Sequence, residues 1–284
     1  MSNALRIAHG RFGRVALLDM DASLVRHAHP HCHVLIKTGG ADGQFLVRDR
    51  PVPLTDGSVV LINAWEPHAY VHGAGNSRTT VLAFYIEPSW LSGFRPNWSA
   101  SAVPDFFARN CDALAPAIRR LAQELAAVML EAPGASSAQE DLISKLMIAV
   151  IERYTAWRTA SLVSFATVSD FRIRRALELM RRDPGSISDM DGLARASGLS
   201  RAHFFRLFGQ SVKVPPRVFL NTVRMETAVA EVMDGDAGLT QVSDRLGFSA
   251  PAHFSRFFRD HAGAAPREFR RIARLDQDAS RLAG

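Results

Sequence analysis

Near its carboxyl end the chain repeats itself. Ala194-x3-Gly198-Leu199-Ser200, followed by His203-Phe204-x-Arg206-x-Phe208, returns as Ser243-x3-Gly247-Phe248-Ser249, followed by His253-Phe254-x-Arg256-x-Phe258. The glycines lie 49 residues apart; the aromatic positions, with Pro216/Pro266 and Phe219/Phe269, lie 50 apart. A small residue, three positions, a glycine, then a serine that opens a basic-aromatic helix is the sequence form of two short helices meeting at a steep angle. One such match carries little weight, because Gly-x-Ser is common. Two in near-identical register constrain the last third of the chain to a duplicated helix-turn-helix unit.

On a helical wheel, Phe204, Leu207, Phe208 and Ser211 share one face, which the bulk of the phenylalanines assigns to the core. Ala202, Arg206 and Gly209 oppose it, with His203 and Phe205 on the flanks. In the second copy Phe254, Phe257 and Phe258 face inward and Ala252, Arg256 and Arg259 outward, flanked by His253 and Ser255. An outward arginine suits a guanine edge, where its planar fork makes two hydrogen bonds. The candidate DNA-contacting residues are therefore Arg201, Ala202, His203, Phe205, Arg206, Ala252, His253, Ser255, Arg256 and Arg259. Charge agrees: residues 170–284 carry 19 Lys and Arg against 14 Asp and Glu, a net of +5, whereas the rest carries +1. Phosphate contact by the arginines, without base reading, remains the alternative.

Upstream, Ile173, Leu177 and Met180 predict a helix stopped by Asp183-Pro-Gly185. Pro216 opens a longer helix that carries Phe219, Leu220, Val223, Ala228 and Val232 and joins the two copies. This region resembles the AraC/XylS transcriptional regulators. The second copy carries most of the resemblance, in Val242-x4-Gly247-Phe248-x4-His253-Phe254-Ser255-Arg256-x-Phe258-x4-Gly263-x2-Pro266-x2-Phe269-Arg270. The resemblance implies two recognition helices in successive major-groove segments, a monomer reading an asymmetric promoter site, RNA polymerase as a partner, and activation of transcription. The chain departs from the family pattern at Lys213, where a glycine is usual, at Pro215-Pro216, where one proline is usual, and at Ser243, where alanine is common.

Residues from about 10 to 88 read as β. Val15–Leu18, His33–Ile36, Gln44–Val47, Val59–Ile62 and Thr80–Ile86 are short apolar runs between glycine turns, the pattern of a small barrel or sandwich. Residues from about 104 to 157 change to helical period: Ile118, Leu121, Leu125 and Met129, then Leu142, Ile143, Leu146, Met147, Val150, Ile151, Tyr154 and Trp157, split by Ala132-Pro-Gly. Their apolar stripes either pack on their own domain or build a homodimer interface. Residues 161–169 read as a linker between a domain at 1–160 and a domain at 170–284.

His27, His29, His31 and His33 alternate, and His68 follows in Trp65-Glu-Pro-His68. The segment from His29 to His72 resembles the cupin sensor barrel found ahead of many AraC-type domains. Imidazoles on adjacent strands can hold a metal, line an organic effector pocket, or be structural. Metal-dependent cupin enzymes add a glutamate four or five residues after His-x-His, and none stands there in this chain. That points away from a metal, a cofactor and catalysis, and toward His29, His31, His33 and His68 as effector-binding residues. Two cysteines, Cys32 and Cys111, build no disulfide framework, and no secretion signal or apolar run of membrane-spanning length is evident.

The sequence thus predicts an α+β multidomain chain: an amino-terminal cupin-like β-barrel with flanking helices, then an all-α domain with two helix-turn-helix motifs joined by a long helix. The expected function is a cytoplasmic, promoter-binding transcription regulator controlled by a small-molecule effector. A regulator whose barrel only dimerises, and a metal-dependent cupin enzyme with a DNA-binding tail, are the competing readings.

Overall fold

The computed structural model describes residues 2–73, 77–102, 105–155, 170–234 and 237–273. Among these residues nine strands form two antiparallel sheets. β1 (Asn3–Gly10), β2 (Gly13–Met20), β3 (Cys32–Gly40), β6 (Ser58–Ile62), β8 (Thr79–Ile86) and β9 (Cys111–Ala113) form the larger, in the order β1-β2-β8-β3-β6-β9. β4 (Gly43–Val47), β5 (Arg50–Leu54) and β7 (His68–Val71) form the smaller, in the order β5-β4-β7. Among the described residues no ladder joins the two sheets, so the expected barrel is an open pair of sheets rather than a closed one.

The larger sheet is covered on both faces, and its strands show it by alternation. On β8, Val81, Ala83 and Tyr85 enter the core between the sheets, while Leu82, Phe84 and Ile86 enter a second core beneath the helices. On β2, Ala16 and Leu18 divide from Val15 and Leu17 in the same way. Burial on both sides is why these strands read as continuous apolar runs rather than as apolar-polar alternation. The covering layer is α1 (Pro88–Phe94), a 3₁₀ turn (Pro96–Ala102), α2 (Pro116–Glu131) and α3 (Ser136–Tyr154). The stripe from Leu142 to Ile151 is buried against this sheet and α2, so it packs on its own domain.

β1 and β9 lie outside the span of about 10 to 88 read from sequence, and β5 and β7 were not foreseen. β5 is Arg-Pro-Val-Pro-Leu at a sheet edge, where proline can be accommodated but lowers the strand signal. Trp157 and the linker expected at 161–169 lie outside the described residues.

The helical half follows the duplicated pattern. The first motif comprises α4 (Phe171–Arg182), α5 (Met190–Ala196) and α6 (Arg201–Val212). α7 (Pro216–Asp234) leads to α8 (Leu239–Arg245), α9 (Pro251–Ala262) and helical residues 266–273. Asp170 caps α4 by accepting from Arg172 N at 2.9 Å, and Asp189 caps α5 by accepting from Gly192 N at 2.6 Å. α7 serves both motifs. Its Phe219 and Leu220 complete the first motif's core, and its Met225, Ala228, Val229 and Val232 complete the second's.

Two contacts fix the angle between the motifs. Arg224 of α7 donates to Pro184 O at 3.1 Å and to Ile187 O at 2.9 Å, and its guanidinium lies 5.7 Å from the Phe248 ring centre. Gly185 approaches the end of α8 so closely that a Cβ there would stand 1.8 Å from Arg245 O. The departure at Lys213 is accommodated: it caps α6 at φ 65°, ψ 4°, where its counterpart Gly263 caps α9 at φ 77°, ψ −7°. The turn geometry is retained, with a side chain in a conformation that suits glycine. Lys213→Gly is expected to stabilise the protein by about 0.5–1 kcal/mol, the left-handed strain relieved less the added chain entropy. Urea denaturation checks this; an unchanged or lowered midpoint contradicts it.

Candidate nucleic-acid interface and histidine cluster

The recognition helices present the faces that the wheel assigns. Phe204, Phe208, Phe254 and Phe258 are fully buried, and Leu207 and Phe257 are partly so. Arg206 and Arg256 are exposed, and among the described residues neither enters a hydrogen bond or ion pair. Ala202, Ala252 and His253 are exposed, while His203, Ser255 and Arg259 are half-buried. His253 Nδ1 lies 2.8 Å from Ser249 Oγ at the start of α9. Arg201 is paired with Asp191 and lies 5.5 Å from the Phe205 ring centre. Phe205 itself packs edge-on to Phe204, so it is partly a core residue.

The histidines do not share a strand face. β3 begins only at Cys32, and Pro30 breaks the ladder before it. His31 turns aside to Glu87, Nε2 to Oε1 at 2.9 Å. His27, outside the expected set, bridges to His68 through both backbone groups, at 2.9 and 2.8 Å, and so joins the cluster. The rings of His27, His29, His33 and His68 then lie 4.5–5.5 Å apart where they neighbour one another, with Tyr85 against His29 and His33. All four are buried. His27 Nδ1 bonds Val25 O at 2.6 Å, His68 Nδ1 bonds Glu66 O at 2.8 Å, and His33 Nδ1 bonds Phe84 O at 2.8 Å. A cavity of about 20 Å³ adjoins them, walled by His27, His33, His68, Tyr70, Tyr85 and Phe45. That volume admits a water molecule but is far below the hundreds of cubic ångströms of an organic-ligand site.

The helical half closes over this cluster. Glu226 of α7 places Oε1 3.5 Å from His29 Nδ1, and the His261 ring of α9 lies 5.8 Å from His27. Around them Thr222 Oγ1 donates to Ala28 O at 3.1 Å, Val25 N donates to Asp260 O at 3.1 Å, and Trp65 stacks on Phe219 at 4.6 Å and 11°. Arg14 lies over Tyr85 at 4.1 Å and 5.7 Å from the Phe269 ring centre. The inner face of the sheets and the second motif form one continuous core.

Comparison with known proteins bears on both halves. Residues 18–148 match the family described as AraC-like ligand binding domain, and residues 193–272 match Helix-turn-helix domain. The chain belongs to the AraC family of transcriptional regulators. It is 24% identical over 257 residues to the HTH-type transcriptional activator RhaS of Citrobacter koseri, covering 88% of each chain. An uncharacterized HTH-type transcriptional regulator of Haemophilus influenzae is 23% identical over 142 residues, which are 50% of this chain and 48% of that one. Among solved structures, an apo ToxT variant of Vibrio cholerae superposes with a TM-score of 0.53 at 14% identity, over 94% of this chain and 100% of that one. Wild-type ToxT bound to an unsaturated fatty acid gives 0.52 at 13%, over 91% and 94%. The fold is thus an amino-terminal sheet domain followed by a helical domain. The chain is a DNA-binding transcriptional regulator with a ligand-binding domain, and the relatives it matches are regulators rather than enzymes. No helix among the described residues is long and apolar enough to cross a membrane.

Sequence reasoning named His27 in the alternating run but left it out of the effector set, and it missed Tyr85, Arg14, Glu226 and His261. Only His27 offered a local signal, as the leading half of a second His-x-His. The others reach the cluster through pairings that span up to about 230 residues.

Burial dominates the chemistry of the cluster. It pushes His33 and His68 down to about 3 and holds His27 and His29 well below the ordinary imidazole range, with neighbouring imidazoles and Arg14 adding repulsion. His261 is lowered for the same reason. Unfolded imidazoles take up protons near pH 6.5. Below that pH the unfolded chain therefore binds more protons than the folded one. Stability is fully present above about pH 6.5 and is lost as pH falls toward 3, by up to about 1.4 kcal/mol per pH unit for each histidine. The urea midpoint is expected to drop steadily from pH 7 to pH 4; a flat profile contradicts neutral burial.

Proposed function

We propose that this chain activates transcription at specific promoters in the cytoplasm, with residues 170–284 reading DNA and residues 1–160 binding the effector that controls the reading. Arg206 and Arg256 read base edges. Arg201, His203, His253, Ser255 and Arg259 position the two helices on phosphates and sugars, the small Ala202 and Ala252 let each helix sit deep in its groove, and the part of Phe205 outside the core faces a thymine methyl. The observation that carries this reading is the pair of exposed arginines, one on each recognition helix, free of protein partners among the described residues. Membership of the family supports promoter DNA and RNA polymerase as partners.

Control by an effector is supported by the continuous core between the sheets and the second motif. A guest among the histidines alters the seat of α7 and α9, and it shifts DNA affinity only by the difference between its affinities for the two arrangements. The activator named RhaS favours activation over repression.

Selection of bound duplexes from a random pool, followed by fluorescence anisotropy with the selected and a scrambled sequence, tests the reading. Arg256→Ala and Arg206→Ala are each expected to cost about 1–3 kcal/mol on the selected sequence and much less on the scrambled one. Equal losses on both would assign these arginines to phosphate alone. Affinity for either duplex should fall with salt, at a slope of about −0.9 per phosphate contacted.

A further inference from the structure

We propose that the effector site is a three-imidazole metal site formed by His27, His29 and His68, that it takes a zinc-like divalent ion, and that Glu226 carries its occupancy to the DNA-binding helices. This deepens the effector-controlled reading and rests on it. The absence of a glutamate after the His-x-His pair pointed away from metal; the structure instead sets a carboxylate from α7, some 200 residues on, behind His29.

Four observations converge. First, each of the three imidazoles offers one nitrogen, and the three lie within 4.8 Å of one another. A tetrahedral ion bound at about 2.0–2.1 Å needs them about 3.3 Å apart, a closure within reach of side-chain rotation. Second, two of the rings are held from behind by backbone acceptors, His27 Nδ1 at Val25 O and His68 Nδ1 at Glu66 O, while His29 Nδ1 faces Glu226 Oε1 at 3.5 Å. The backbone contacts leave Nε2 of His27 and His68 as the ligand atom, the outer-shell arrangement that metal-binding histidines use. Third, His68 Nε2 and both nitrogens of His29 are buried and, among the described residues, without a hydrogen-bond partner, which is costly for polar atoms unless something binds them. Fourth, the adjoining cavity of about 20 Å³ fits a water as fourth ligand and no organic effector.

The nearby Glu66 is not available as a ligand. Its Oε2 accepts from Asn63 N, Asn63 Nδ2 and Asn110 Nδ2, and its Oε1 is paired with Arg48. Glu226 is a positioning residue. When Nε2 of His29 binds an ion, its Nδ1–H becomes a stronger donor, and the contact to Glu226 tightens. That draws α7, and with it the second motif, onto the sheet domain. An ion therefore raises DNA affinity by holding the recognition helices in one seat on the sheet domain.

Full-length chain stripped with a chelator and titrated with cobalt(II), then zinc(II), is the test. One cobalt per chain is expected, with the visible absorption of a four-coordinate site that zinc abolishes. His68→Ala and His27→Ala, checked for folding by circular dichroism, should lose the band, while His72→Ala, outside the cluster, should keep it. Glu226→Gln should keep the band, weaken metal affinity about 10–100-fold, and lose the gain in DNA affinity. That gain is expected at 5-fold or more in the wild-type chain. A wild-type chain that takes up no cobalt, or a band that survives in both histidine variants, overturns the site. Unchanged or weakened DNA binding on zinc loading overturns the coupling. Either failure with selective DNA binding intact leaves the regulator reading standing; loss of selective binding with and without metal defeats that reading instead.

Discussion

The structure depends on one shared core. α7 buries its amino-terminal half in the first motif and its carboxyl-terminal half in the second, and the second motif's core runs on without interruption into the space between the two sheets. Neither half can move alone without exposing apolar surface such as Met225, Val229 and Phe269, each buried side chain being worth about 1.5–3 kcal/mol. The seam is pinned by directional contacts as well. Trp65 takes a left-handed backbone conformation, φ 62°, and its ring stacks on Phe219. Strain of that kind is retained where surrounding contacts over-determine it.

This arrangement gives physical content to the link between sensing and DNA reading. The histidine cluster lies at the seam rather than deep in one domain: two of its neighbours, Glu226 and His261, belong to α7 and α9. The carboxyl end of α9 docks on the sheet domain through Asp260, while Ala252, His253 and Arg256 nearer its amino end stay exposed. A change at the histidines thus acts on a helix whose outer face is already turned to solvent. The angle between the two motifs is set separately, by Arg224 and by the close approach at Gly185.

Much of the helical half was legible in the sequence, because its information is local. Glycine turns, the Asp183-Pro-Gly185 stop, and phenylalanines spaced three and four apart each specify structure within a few residues. The five strongest strands were legible for the same reason. What escaped was non-local. β9 is three residues long and is held by pairing to β6. The alternating histidines invited a single strand face that Pro30 breaks, and His31 consequently went to Glu87. The barrel expected from the resemblance is an open pair of sheets, since one face of the core is closed by the second motif instead of by further strand pairing. No periodicity within 90 residues of His29 could have announced Glu226.

The continuity of the core is tested most directly by native-state hydrogen exchange of the full-length chain in low urea, comparing amides of β8 with amides in the middle of α7. The account predicts that both sets open with the same free energy and the same urea dependence, as one cooperative unit. Opening of α7 at a distinctly lower free energy, with β8 still protected, would contradict it and make the two halves independent bodies.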